Sequence, residues 1–188
     1  MQPPNDPRAL RALAHPLRWK LVDLLARDGA ATATRCAGEL GESVASCSFH
    51  LNTLARYGFV EPAPGGRGRE KPWRLTAVEQ NLAPVGLGPQ GRPASRAARE
   101  VFLDHELARL KDRLAHGDAE PDEWRRGIGF DGVTTALTAD ELHEVSEALR
   151  EIATRYADRA THRNRIPPGA REVRIFTATS VTPLPGPR

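Results

Sequence analysis

Two cysteines in 188 residues, neither in a Cys-x-x-Cys pair, exclude a disulfide framework. The N-terminus lacks an apolar run that could serve as a signal peptide or a membrane span, so a soluble cytoplasmic protein is expected. Phosphate loops and Gly-rich dinucleotide fingerprints are missing as well. Catalysis finds no support in Ser48 and His50, because helical neighbours point about 100° apart per residue and no third orienting group is evident. No enzyme and no cofactor is expected. Internal repeats and long low-complexity segments are absent too, and aromatic residues are few, at 5%.

What the chain has is arginine, 24 against three lysines. The net charge of +3 is unevenly spread: residues 1 to 80 hold eleven Lys/Arg and eight Asp/Glu, whereas residues 81 to 188 hold sixteen of each. The excess can be placed in one short segment, where Arg67, Arg69, Lys71 and Arg74 face only Glu70. A basic cluster of this kind is the footprint that phosphate binding needs.

The organising stretch is Ser43 to Val60. Ser43 is a good N-cap, and Gly58 is placed as the left-handed residue that ends a helix of about four turns. With Cys47 as origin, Val44, Leu51 and Leu54 fall within about 60° on a helical wheel, while Ala45, Ser48, Phe49, Asn52 and Arg56 lie opposite. A shorter helix, Thr34 to Gly41, precedes it with almost no connection, which makes a helix-turn-helix. After it, residues 59–63, a Pro64-Gly65-Gly66 turn and a return through Leu75 form a β-hairpin wing.

These residues carry a resemblance. Ala12-Leu-Ala-His-Pro-Leu-Arg18, Cys36-Ala-Gly-Glu-Leu-Gly41, Ser48-Phe-His-Leu51 with Leu54, Tyr57-Gly-Phe-Val60 and Lys71-Pro-Trp-Arg74 are similar, in order and spacing, to the ArsR-type winged-helix transcriptional regulators. The likeness covers roughly residues 7 to 76. Beyond residue 90 the chain resembles, more loosely, actinobacterial members with a C-terminal extension. The resemblance implies double-stranded DNA as partner. Contacts are expected from Ser43, Ala45, Ser46, Ser48, Phe49, Asn52 and Arg56 on the recognition helix and from Arg67, Arg69, Lys71 and Arg74 in the wing.

Around this module, Asp6-Pro7 opens a first helix that must end before Pro16, and Pro16 opens a second, with Leu17, Leu21, Leu24 and Leu25 at helical spacing and Gly29 closing it. Residues 77 to 93 are rich in Pro and Gly and read as a linker. A long helix follows in residues 94 to 121. Its stripe of Ala94, Ala98, Val101, Leu103, Leu107, Leu110 and Leu114 is expected to pack on a second copy of the chain, giving a homodimer. Residues 122 to 188 read as a small β-α-β region. Gly127 to Thr138 is β-like, Thr138-Ala-Asp-Glu141 opens a helix, and Val173 to Val181 alternates as a strand. Its apolar residues around Trp124, Phe130, Tyr156 and Phe176 make it a buttress for the dimer or a holder of a small-molecule effector.

Two further groups deserve a place. His105 and His116 share one helix face three turns apart, and zinc-sensing ArsR-type repressors use two such histidines; the accompanying acids do not match, so no metal site is expected and these two stand only as candidates. Cys36 and Cys47 fall on the faces that the two helices turn toward each other. They are expected as buried small hydrophobes, with a redox switch the alternative. The fold class expected is mainly α with a β-hairpin wing (winged helix-turn-helix), a long dimerisation helix and a small α+β C-terminal region. The function expected is a homodimeric repressor on a pseudo-palindromic operator. A winged-helix module for protein or RNA contact is the alternative.

Overall fold

The computed structural model describes residues 6–66, 70–77, 82, 88–89, 91–117 and 119–182, the side chains of 160, 161 and 163 apart. The chain divides into two compact units, Met1–Arg125 and Arg126–Arg188.

In the first unit, α1 (Pro7–Leu13) and α2 (Pro16–Asp28) are separated by a break at Pro16. Asp6 caps α1 by accepting from the Arg8 amide at 2.8 Å, and the His15 ring caps α2 by accepting from the Leu17 amide at 3.2 Å. The break leaves the last carbonyls of α1 without helical donors, and α2 supplies them. Trp19 donates its indole N–H to the Leu13 carbonyl at 2.8 Å, and Arg18 donates to the Ala12 carbonyl at 2.5 Å. Trp19 is 1% exposed and packs at 4.6 Å against Phe102.

A two-residue strand, β1 (Ala31–Thr32), leads into α3 (Ala33–Leu40), where the Thr32 hydroxyl caps the new helix by accepting from Arg35. Gly41, at φ +67°, ends α3 in the left-handed region, and Ser43 caps α4 (Val44–Arg56) by accepting from the Ser46 amide. The end of α4 is closed by paired bonds, Phe59 amide to Leu54 carbonyl and Gly58 amide to Ala55 carbonyl, both 3.0 Å, with Gly58 at φ +74°. The chain then enters β2 (Val60–Pro62) and returns as β3 (Pro72–Leu75). The sheet is antiparallel in the order β1-β3-β2, with Glu61 opposite Arg74 and Ala31 opposite Trp73. Cys47, Leu51 and Leu54 are fully buried in the same core as Leu21, Leu25, Val60 and Trp73, so truncating either leucine to Ala costs about 2–5 kcal/mol.

The long helix α5 spans Arg92–Gly117 and begins before the expected end of the linker, because Pro93 is tolerated in a first turn. Its apolar stripe is divided between two environments. Ala94 and Ala98 are buried, and Val101 and Phe102 pack against the core formed with α1 and α2, while Leu103, Leu107 and Leu114 stay 41–44% exposed. The expectation that the whole stripe awaits a second copy is therefore corrected: its N-terminal part is covered within the chain. Asp23 of α2 fixes α5 further, with His105 Nε2 and Arg109 Nη1 each 2.6 Å from one of its carboxylate oxygens. The short α6 (Asp122–Arg125) ends the unit.

The second unit holds α7 (Ala139–Thr154), α8 (Asp158–Thr161) and a 3-10 turn at Arg163–Arg165, tied by an Arg165–Asp158 ion pair at 2.9 Å. The capping box on α7 forms as expected, with Thr138 and Glu141 exchanging bonds. The β-α-β arrangement does not. Among the described residues neither 127–138 nor 173–181 joins a sheet, and Val133, Val173 and Val181 are 88, 64 and 72% exposed. Alternation fits a residue to a pleat, but a strand needs a ladder partner and a covered face, and an isolated pair is marginal in water. Glycines at 127, 129 and 132 further weaken the first segment. Among the described residues no helix is long and apolar enough to cross a membrane.

Candidate nucleic-acid interface

The outer face of α4 is open. Ala45, Phe49, Asn52 and Arg56 are exposed, and Ser46 and Ser48 are half-buried. The Ser43 hydroxyl is occupied as the cap acceptor. Phe49 is 64% exposed and lies edge-on to His50 at 5.2 Å, so its ring projects from the helix surface, and Val44, expected on the core side with Cys47, is 47% exposed in the first turn. The Asn52 amide nitrogen donates to the Ser48 carbonyl at 2.8 Å and, at 3.4 Å, to the Ser48 hydroxyl, which steadies the side chain along the helix while its oxygen remains for a ligand.

The wing is built around a close approach. Gly66 sits at φ +109°, and a Cβ there would stand 2.5 Å from the Glu70 carbonyl oxygen, so glycine is required for the hairpin to close. Of the four expected wing cations, Arg67 and Arg69 lie outside the described residues. Lys71 holds its ammonium 4.4 Å over the Trp73 ring and is exposed. Arg74 is engaged across the sheet, 2.7 Å from Glu61. The excess charge there is thus partly balanced by an acid that sequence adjacency does not reveal, since Glu61 sits thirteen residues earlier.

Behind α4 is a cluster that the sequence reading passed over. His50 is 7% exposed, its ring is 4.3 Å from that of His15, and its Nδ1 accepts from Arg18 Nε at 3.1 Å. Burial, the His15 ring and the Arg18 charge hold the His50 pKa below its ordinary value; burial and Arg18 do the same to His15. The signal was available. His50 is about 60° from Cys47 on the wheel, on the core side, where a polar ring needs a partner.

The other candidates fall separately. His105 pairs with Asp23, whereas His116 donates its Nδ1–H to the Asp112 carbonyl of its own helix, 2.8 Å away. Among the described residues no three His, Cys, Asp or Glu side chains gather as a metal site. Cys36 and Cys47 are both free and buried in the first unit's core. Burial, then the neighbouring Cys47, pushes the Cys36 thiol up to about 11, and burial raises Cys47 as well. The aromatic group proposed for an effector is split, with Trp124 in the first unit and Phe130, Tyr156 and Phe176 in the second.

No curated protein matches the chain. A family model described as a helix-turn-helix domain matches residues 13–63, the segment from the end of α1 through β2. The matched segment contains α3, its short turn and α4, which stand in the order of a helix-turn-helix.

Proposed function

We propose that the protein is a sequence-specific transcriptional regulator of the ArsR type, a repressor that acts in the cytoplasm as a homodimer on a pseudo-palindromic operator. The observation that carries this reading is the exposed face of α4, small and polar except for Phe49 and, in the first turn, Val44, and closed at both ends by its own caps. A helix so presented enters the major groove, with side chains of its outer face on base edges. Asn52 pairs with adenine, and the Phe49 ring rests on a thymine methyl. Arg56, Lys71 and the wing arginines Arg67 and Arg69 take phosphates, while Ser43, Ser46 and Ser48 donate hydroxyls along the backbone.

The exposed Leu103, Leu107 and Leu114 of α5, with Leu110 half-buried between them, step by four, three and four residues. That is the spacing of a helix seam and supports α5 as the dimer contact. Two copies would then offer two recognition helices to two half-sites. A gel shift with operator-sized duplex from the gene's own promoter tests the function: a discrete complex that resists scrambled competitor is expected, and equal competition by scrambled duplex contradicts it. Sedimentation at micromolar concentration tests the dimer, a monomeric mass being the contrary result.

A further inference from the structure

The second unit presents an apolar seam that nothing in the DNA-binding reading uses. Leu142, Val145, Leu149, Ile152 and Tyr156 of α7 and its end recur at steps of three and four residues, and Val145, Ile152 and Tyr156 are 42, 55 and 57% exposed. No residue of α7 is buried. Its first turn is fixed by the Thr138–Glu141 capping box, so the seam stands on a well-started helix.

The seam alone names no occupant, but its flanks do. A two-fold interface must be self-complementary, each residue meeting its counterpart under the same rotation. Laid antiparallel on a second α7, Leu142 meets the partner's Ile152 and Val145 meets the partner's Leu149. The same placement sets Ala148 against the partner's Ala148, Ser146 against the partner's Ser146 and Ala139 against the partner's Ala153. These flanks are small, so the helices can approach closely. The one flanking position that is not small pairs opposite charges, Glu141 with the partner's Arg155, twice by symmetry. The parallel arrangement loses this match, because Glu141 would face Ser146. Meanwhile Glu144, Glu147, Arg150 and Glu151 sit away from the seam, where Arg150 pairs with Glu147.

We propose that α7 is a self-association surface that pairs antiparallel with α7 of a second copy of this chain, separate from the α5 seam. The test uses the full chain carrying Ala148→Cys, whose introduced thiols would lie across the two-fold axis. Cys36 and Cys47 are buried and do not compete. At micromolar protein, held thiols at millimolar effective concentration should cross-link ~100-fold faster under mild oxidation than those of a Glu144→Cys control on the outer face. A mixture of Leu142→Cys and Ile152→Cys chains should cross-link to each other and not to themselves. Equal rates for Ala148→Cys and Glu144→Cys would overturn the proposal, as would the result if another protein covers α7. Self-linking of Leu142→Cys would overturn the antiparallel geometry. The cross-link reads α7 and the gel shift reads α4, so either can fail alone.

Discussion

Arg18 holds α1, α2 and α4 together, and Arg18→Leu should show how firmly. The substitution removes the bond to the Ala12 carbonyl at 2.5 Å, the bond to His50 Nδ1 at 3.1 Å and a long one to the Arg11 carbonyl at 3.4 Å. Hydrogen bonds from a charged donor contribute about 1.5–3 kcal/mol each, and a buried acceptor left alone costs about 1–3 kcal/mol. The bonds to the Ala12 carbonyl and the His50 ring are both part-buried, so water replaces Arg18 only in part and the expected loss is about 2–4 kcal/mol, read as a lower urea midpoint at pH 7.5. A loss under about 0.5 kcal/mol, the level of an ordinary surface change, would refute the assignment.

A pH arm sharpens this test. The His50 pKa is lowered in the folded state, so below the ordinary value of about 6.5 the unfolded chain binds more protons than the native one. Stability from this group is fully present above that pH and is lost as pH falls through the depressed folded value. His15 acts in the same direction. His50→Gln keeps an acceptor for Arg18 but cannot titrate, so its urea midpoint should fall less between pH 7 and 5 than that of the parent. An unchanged pH dependence would remove His50 from the account.

Three other outcomes are expected. Gly66→Ala places a Cβ against the Glu70 carbonyl at positive φ, so it should cost about 1–3 kcal/mol in thermal unfolding and weaken DNA binding, and a neutral result would mean the wing closes differently. Cys36 and Cys47 should react with a disulfide reagent at neutral pH only on unfolding, since both are buried, the Cys36 thiol is pushed up to about 11 and burial raises Cys47 as well; an immediate two-thiol burst would restore the redox alternative. Arg67→Ala/Arg69→Ala should flatten the slope of log affinity against log salt by roughly one to two units on any duplex, and an unchanged slope would remove these arginines from the phosphate contacts.

The parts of the chain that were legible are those whose signals are local. Ser43 and Gly58 bracket α4 because a hydroxyl cap and a left-handed glycine act on their own turns, and Pro16 breaks α1 from α2 for a similarly local reason. Where an element depends on a distant partner, pattern reading went astray. Ala94 and Ala98 look like part of one long seam, yet small residues suit the tight crossing under α1. Residues 173–181 alternate without a strand to pair with. β1 is too short for alternation to show, and the Arg74–Glu61 pair is set by hairpin register. His50 was legible on the wheel but was weighed only as a catalytic group.

The central claim, that the outer face of α4 reads base edges, is tested most directly by Asn52→Ala and Phe49→Ala on operator and scrambled duplex across a salt series. Both side chains are exposed, so folding should be nearly unaffected. Each variant is expected to lose about 1–3 kcal/mol of operator affinity while its binding to scrambled duplex and its salt slope stay as in the parent. Equal losses on both duplexes would contradict the claim.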